Sequence, residues 1–177
     1  EIKAGIVKYF YNKENNYFYK RISFEENKVS KDSILDTASF AGVFRFGVLE
    51  VDNPMLIGAA DSLKEWLCCK TPISGAARYN GDKYYRSDEH LPGNPWVITT
   101  LWYALYRIES SKSKKDLDEP LRYLEWVTRF ASPSGMLSEQ LNPHTGEHIS
   151  ASPLAWSHAE FIYTAIKYSE KMKSFRE

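Results

Sequence analysis

The sequence predicts a mainly helical fold of about six helices packed in two layers, with a short hairpin near the N-terminus. Three observations predict it. Apolar residues recur at helical spacing along most of the chain, whereas only Tyr17–Phe24 alternates as a strand would. Helices apolar on most sides tend to alternate with amphipathic ones. That alternation suits an inner ring wrapped by an outer one better than a four-helix bundle. The helix pairs differ too much to form a clean repeat.

Taken in order, Glu1 to about Phe10 forms a short helix carrying Ile2, Ile6, Val7 and Phe10, followed by turn-like Asn12–Asn16 and the hairpin region. Lys31-Asp32-Ser33 offers N-cap chemistry for a helix to about Leu49. Pro54, at a first-turn position, starts a helix to about Cys69, with Leu56, Ala59, Ala60, Leu63, Trp66 and Leu67 in a stripe opposite Asp61, Lys64 and Glu65. Asn94-Pro95 caps a helix to about Glu109 that has almost no polar face and is therefore expected to be buried on most sides. The helix from about Asp116 to Ala131 is amphipathic, and the last runs from about Leu154 to Met172.

With 177 residues the chain fits one domain or a piece of a larger one, and its 43% hydrophobic content suffices for a packed core. No apolar run approaches the roughly 20 residues that span a bilayer. Basic and acidic residues both number 23, so no net field draws in nucleic acid or an anionic membrane, and a neutral partner is expected. Aromatics make up 15% of the chain, including 5 Trp and 12 Tyr. They serve either as packing or as flat faces with hydrogen-bonding edges for a polyhydroxylated ligand. Cys68 and Cys69 are adjacent, a poor geometry for a disulfide, and point to a reducing compartment or to indifference to redox; a cytoplasmic setting is expected.

Two long segments, Thr71–Gly93 and Ser132–Ser152, separate the helices. Loops of this length are usually functional or disordered, and these are too aromatic for linkers. Projecting from the same end of the helices, they would wall a pocket. Glu139, beside Gln140 in a Gly-containing loop, fits one of the two carboxyl roles of glycosidic cleavage. His144 and His148 have metal-like i, i+4 spacing, but Pro143 and Gly146 argue against the helix that would align them, so no metal site is expected. Asp36, in an apolar helix, is expected to be buried against an arginine such as Arg45 or Arg78.

Five segments in this order resemble glycoside hydrolase family 15: glucoamylases, glucodextranases and related trehalases. They are Leu35-Asp36-Thr37-Ala38-Ser39; Ala77-Arg78-Tyr79 with Asp82 and Tyr84-Tyr85; Gly93-Asn94-Pro95-Trp96; Leu137-Ser138-Glu139-Gln140; and Leu154-Ala155-Trp156-Ser157-His158-Ala159. The likeness covers most of the chain from about residue 30 onward. It implies an (α/α)6 barrel, an oligosaccharide or polysaccharide substrate, and hydrolysis of α-glucosidic bonds from the non-reducing end with inversion. No cofactor is implied. By the resemblance, Glu139 is the general base and Arg78 binds sugar hydroxyls in the innermost subsite. Asp82 and Tyr84 line the same cleft, Trp96 and Trp156 are cleft or near-base tryptophans, and Gln140 sits beside the base. Trp96 can equally be core of a buried helix.

The family's general acid lies well upstream of the Arg-Tyr segment and has no counterpart here. Glu14, Glu25 and Glu26 fall in a polar hairpin region without the surrounding motif. About six helices make half of such a barrel, so the chain is expected to be the C-terminal portion of one catalytic domain, lacking the N-terminal half. Two expectations follow: the isolated chain has no appreciable glucosidase activity, and inner helices such as Trp96–Ile108 stay partly uncovered and drive self-association. A helical carbohydrate-binding or interaction module without catalysis is the competing reading. Convergence of Glu139 and Arg78 on one concavity separates the two.

Overall fold

A computed structural model describes residues 1–25 and 28–175. Glu26 lies outside the described residues. Among those residues the chain is mostly helical, with six α-helices and three small two-stranded hairpins. Helix α1 (Ile2–Phe10) leads into strands β1 (Tyr11–Asn12) and β2 (Tyr17–Phe18), then into β3 (Arg21–Glu25) and β4 (Lys28–Asp32). Helices α2 (Thr37–Arg45), α3 (Pro54–Trp66) and α4 (Val97–Ser110) follow. A short 3-10 turn (Lys114–Leu117) opens α5 (Asp118–Arg129), and the hairpin β5 (Gln140–Leu141) and β6 (His148–Ile149) precedes α6 (Ala155–Ser174).

Most expected helices are present, with boundaries set by local chemistry. Asn53 accepts from the Met55 amide at 3.0 Å with Pro54 next to it, which starts α3. The helix expected from Lys31 begins later. Lys31 and Asp32 are strand residues, paired with Ile22 and Arg21. The cap is Asp36, whose carboxylate accepts from the Ala38 and Ser39 amides at 2.6 and 3.3 Å. Asp36 thus lies at the helix terminus rather than inside it; it is buried as expected, with Lys20 as its ion-pair partner at 3.7 Å and the charge of Arg78 also acting on it. Arg45 pairs instead with buried Glu160 of α6 at 2.8 Å. Asn94 does not cap α4: Trp96 takes that position without a side-chain bond, and Asn94 is spent elsewhere.

Helix α4 is central. It packs against α2, α5 and α6, while α3 packs on α2 and α5 on α6. Tyr103, Leu105 and Tyr106 of α4 join a core with Phe40, Phe44, Leu56 and Leu63. Val97 and Leu101 join a second core with Leu124, Trp126, Val127, Leu137 and Leu141. Ten of the fourteen α4 residues are buried. The expectation that this helix is left uncovered is therefore corrected: α2, α5 and α6 enclose it. An exposed apolar face lies instead on α6, where Trp156, Ile162, Tyr163 and Ile166 are 42–59% exposed.

Candidate active site

The two long loops are joined across the helix ends by short backbone links. Ala77 bridges Pro95, Trp96 bridges Gln140, and Asp36 bridges Tyr79. The Ala77 amide donates to the Leu67 carbonyl at 2.9 Å, Trp96 to Ala76 at 3.0 Å, Val97 to Glu139 at 3.1 Å and Glu139 to Ala151 at 2.9 Å. Buried threonines fasten this layer to the helices below. Thr37 and Thr99 donate through their hydroxyls to Ala77 and Ala76 carbonyls at 2.9 and 2.7 Å, and the Ala76 amide donates to the Thr100 hydroxyl at 2.8 Å. These residues sit at the first turns of α2 and α4, where a side-chain hydroxyl can reach outward to a neighbouring strand-like segment.

On this layer, Arg78 forms a two-pronged pair with Asp82: Nε to Oδ2 and Nη2 to Oδ1, both 2.9 Å. Asp82 is 1% exposed and also accepts from the Tyr84 amide at 3.1 Å. Burial works against the charged guanidinium, but the hydrogen bonds and charge of Asp82 outweigh it, so Arg78 is held even above its ordinary range. The guanidinium lies over Trp96 at 4.4 Å from the ring centre, with Tyr79 at 4.9 Å and Tyr84 at 5.6 Å. Its Nη1 donors lie outside the Asp82 fork, which leaves a directed edge for a ligand.

Glu139 is half-buried on the adjoining loop. The Ser150 hydroxyl donates to its Oε2, and lies 3.5 Å from the Tyr84 hydroxyl. Glu139, Ser150 and the Tyr84 hydroxyl therefore form a polar row, and the Tyr84 ring at its end lies 5.6 Å from the Arg78 guanidinium. Ser150 and Tyr85 are both non-glycine residues in the left-handed region, with φ of 65° and 53°. Such conformations cost on the order of 1–3 kcal/mol and cluster at functional sites.

The expected site residues divide by depth. Arg78, Tyr84 and Glu139 reach the surface. Asp82, Trp96 and Gln140 are 1%, 4% and 0% exposed, so direct substrate contact does not fit their burial; they support the face from beneath. Gln140 accepts from Asn94 Nδ2 at 3.0 Å, and Asn94 also donates to the Tyr85 carbonyl, tying the loops together. Trp156 stands apart. It is half-exposed on α6, with its ring against Trp102 at 5.8 Å, and does not join the row.

Ser150 and Asn94 were not among the expected site residues. Ser150 carries no signal in sequence, because its place depends on the β5–β6 register and a positive φ. His158 accepts from the Leu137 amide at 3.1 Å and so helps seat the segment bearing Glu139. His144 and His148 turn to different partners: His144 to Asp88 at 2.8 Å, and His148 to the Phe130 carbonyl at 2.7 Å.

The sequence profile of the glycosyl hydrolases family 15 matches residues 106–166. The chain is 30% identical over 170 residues to an uncharacterized glycosyl hydrolase of Methanocaldococcus jannaschii, covering 91% of this chain and 25% of that protein. It is 31% identical over 132 residues to a glucoamylase of a Clostridium species, covering 70% of this chain and 18% of that protein. Its fold superposes on a bacterial glucoamylase solved with acarbose with a TM-score of 0.70 and 25% identity, over 88% of this chain and 25% of that one. The chain spans a quarter or less of the curated relatives it matches. On these likenesses and the helical fold that carries them, the chain belongs to glycoside hydrolase family 15.

Proposed function

We infer that this chain supplies one side of an inverting α-glucosidase site of the glucoamylase kind, with Glu139 as general base and Arg78 as the group that reads sugar hydroxyls. The observation that supports this reading is the run of contacts from Glu139 through Ser150 to the Tyr84 hydroxyl, with the Tyr84 ring 5.6 Å from the Arg78 guanidinium. Inverting hydrolysis uses two carboxyl groups about 6.5–9.5 Å apart, with water between the base and the anomeric carbon. Glu139 takes a proton from that water, the water oxygen bonds to the anomeric carbon, and the glycosidic bond breaks as an acid protonates the leaving oxygen. Ser150 orients the Glu139 carboxylate, and the exposed Tyr84 ring gives the sugar a flat neighbour.

The acid belongs to chain beyond these 177 residues, and the helices form the C-terminal half of an (α/α)6 barrel within one catalytic domain. The small share of each relative that the chain spans supports this. The isolated chain then holds a base without an acid and has no appreciable turnover. The apolar stripe of α6 faces the missing half and, without it, drives self-association. Free Cys68 and Cys69 fit a cytoplasmic setting.

Proton NMR of the first glucose released by a full-length protein carrying this chain tests the reading. The β-anomer is expected; initial release of the α-anomer overturns inversion. Robust turnover of a maltooligosaccharide by the 177-residue chain alone would refute the split site.

A further inference from the structure

The loop that holds Arg78 has a second side. There, a concavity of about 340 Å³ lies between the C-terminal end of α3 and residues 80–92. Trp66, the last residue of α3, borders it and is 66% exposed, the most exposed tryptophan in the chain's described residues. Asn80, Glu89 and His90, all exposed, line the same concavity and carry an amide, a carboxylate and an imidazole. Arg86 forms the floor. Its guanidinium donates to the carbonyls of Asp88, Glu89 and Leu91, which stiffens the loop into a fixed wall.

The volume falls at the low end of the roughly 300–1,000 Å³ typical of small-molecule sites. One exposed indole bordered by polar and charged groups, the exposed Lys70–Glu65 ion pair at 2.6 Å among them, is poorly suited to a protein partner, whose anchors sit in apolar, desolvated pockets. It suits a pyranose ring, which offers one C–H face for stacking and a rim of hydroxyls for hydrogen bonds. The geometry points to a second carbohydrate site here, in which Trp66 stacks on a glucose unit of a neutral α-glucan and Asn80, Glu89 and His90 bind its hydroxyls. This rests on the α-glucan reading of the Glu139 face. The two sites share a wall: the Pro92 carbonyl, at the concavity, accepts from the amide of Asp82, the residue that clamps Arg78. A glucan chain held at Trp66 is thereby kept beside the Glu139 face, raising its local concentration there.

The test is a titration of the isotopically labelled 177-residue chain with maltoheptaose and, separately, isomaltoheptaose, following tryptophan indole and backbone amide signals by NMR. The Trp66 indole signal and the amides of Asn80 and His90 are expected to shift together with one saturating curve for at least one of the two glucans. Trp66→Ala is expected to weaken that binding about tenfold, and His90→Ala to weaken it less. Because Trp66 is exposed, its removal leaves the fold intact, as the unshifted remainder of the spectrum will show. Shifts confined to Arg78, Tyr84 and Glu139 overturn the second site and leave the active-site reading standing. If neither glucan shifts any signal, the second site falls, while the Glu139 reading is decided separately by the full-length protein.

Discussion

Helices α4 and α6 are both rich in large apolar residues, yet they treat them in opposite ways. Helix α4 buries Val97, Ile98, Leu101, Tyr103, Leu105, Tyr106 and Ile108. Helix α6 buries Ser157, Glu160 and Thr164, and turns Trp156, Ile162, Tyr163 and Ile166 outward. The polar residues it buries are mostly matched: Ser157 donates to the Ser138 carbonyl at 2.8 Å, and Glu160 pairs with Arg45. Apolar content therefore says that a helix wants cover, while neighbours decide which face receives it. Helix α4 has its neighbours within this chain, and α6 has them on one side.

The comparison breaks most sharply at Leu101, which is fully buried at the centre of α4. Leu101→Ala should destabilise the chain by about 2–5 kcal/mol, read by urea unfolding, because it leaves a cavity among packed neighbours. A loss below about 1 kcal/mol would mean that α4 is not the core helix. At Ile166 the same kind of truncation acts on association instead. Ile166→Ser should change stability by less than about 0.5 kcal/mol, yet shift the chain toward monomer in sedimentation velocity. A wild-type chain that is already monodisperse at high concentration would dissolve the contrast.

The smallest effect is expected at the link between the two long loops. Asp88 is held below the usual carboxylate range by the His90 amide, then by the His144 ring. A carboxylate depressed in the folded state stabilises it above its ordinary pKa of about 4. That contribution fades as pH falls through the lower folded value. Asp88→Asn should therefore flatten the acid limb of thermal stability slightly below about pH 4. An unchanged acid limb would show that the Asp88 contacts with His90 and His144 are incidental to stability.

Much of this arrangement was legible in sequence. The helices with long apolar stripes, Pro54–Trp66 and Val97–Ser110, were found because burial at helical spacing leaves a periodic trace. The start of α2 was missed because Asp32-Ser33 offered a cap as plausible as Asp36, and strand pairing with Arg21 decided between them. The segment resemblance singles out Arg78, Tyr84 and Glu139, and the structure leaves all three at least partly exposed. The depth of Asp82, Trp96 and Gln140 was not legible, since a motif records which residues stand together and not which of them meets solvent. Ser150 stayed hidden for a further reason. Its contact with Glu139 spans a hairpin, and a lone serine in a polar loop carries no pattern.

The central claim is that Glu139 is the base on the face it shares with Arg78. The direct measurement is the turnover of maltooligosaccharide by a full-length protein carrying Glu139→Gln, with the fold monitored by circular dichroism. Glutamine matches glutamate in shape but cannot accept the proton, so turnover should fall by about 10²–10⁴-fold while the melting curve and substrate affinity hold. Wild-type turnover from a folded Glu139→Gln protein would contradict the account.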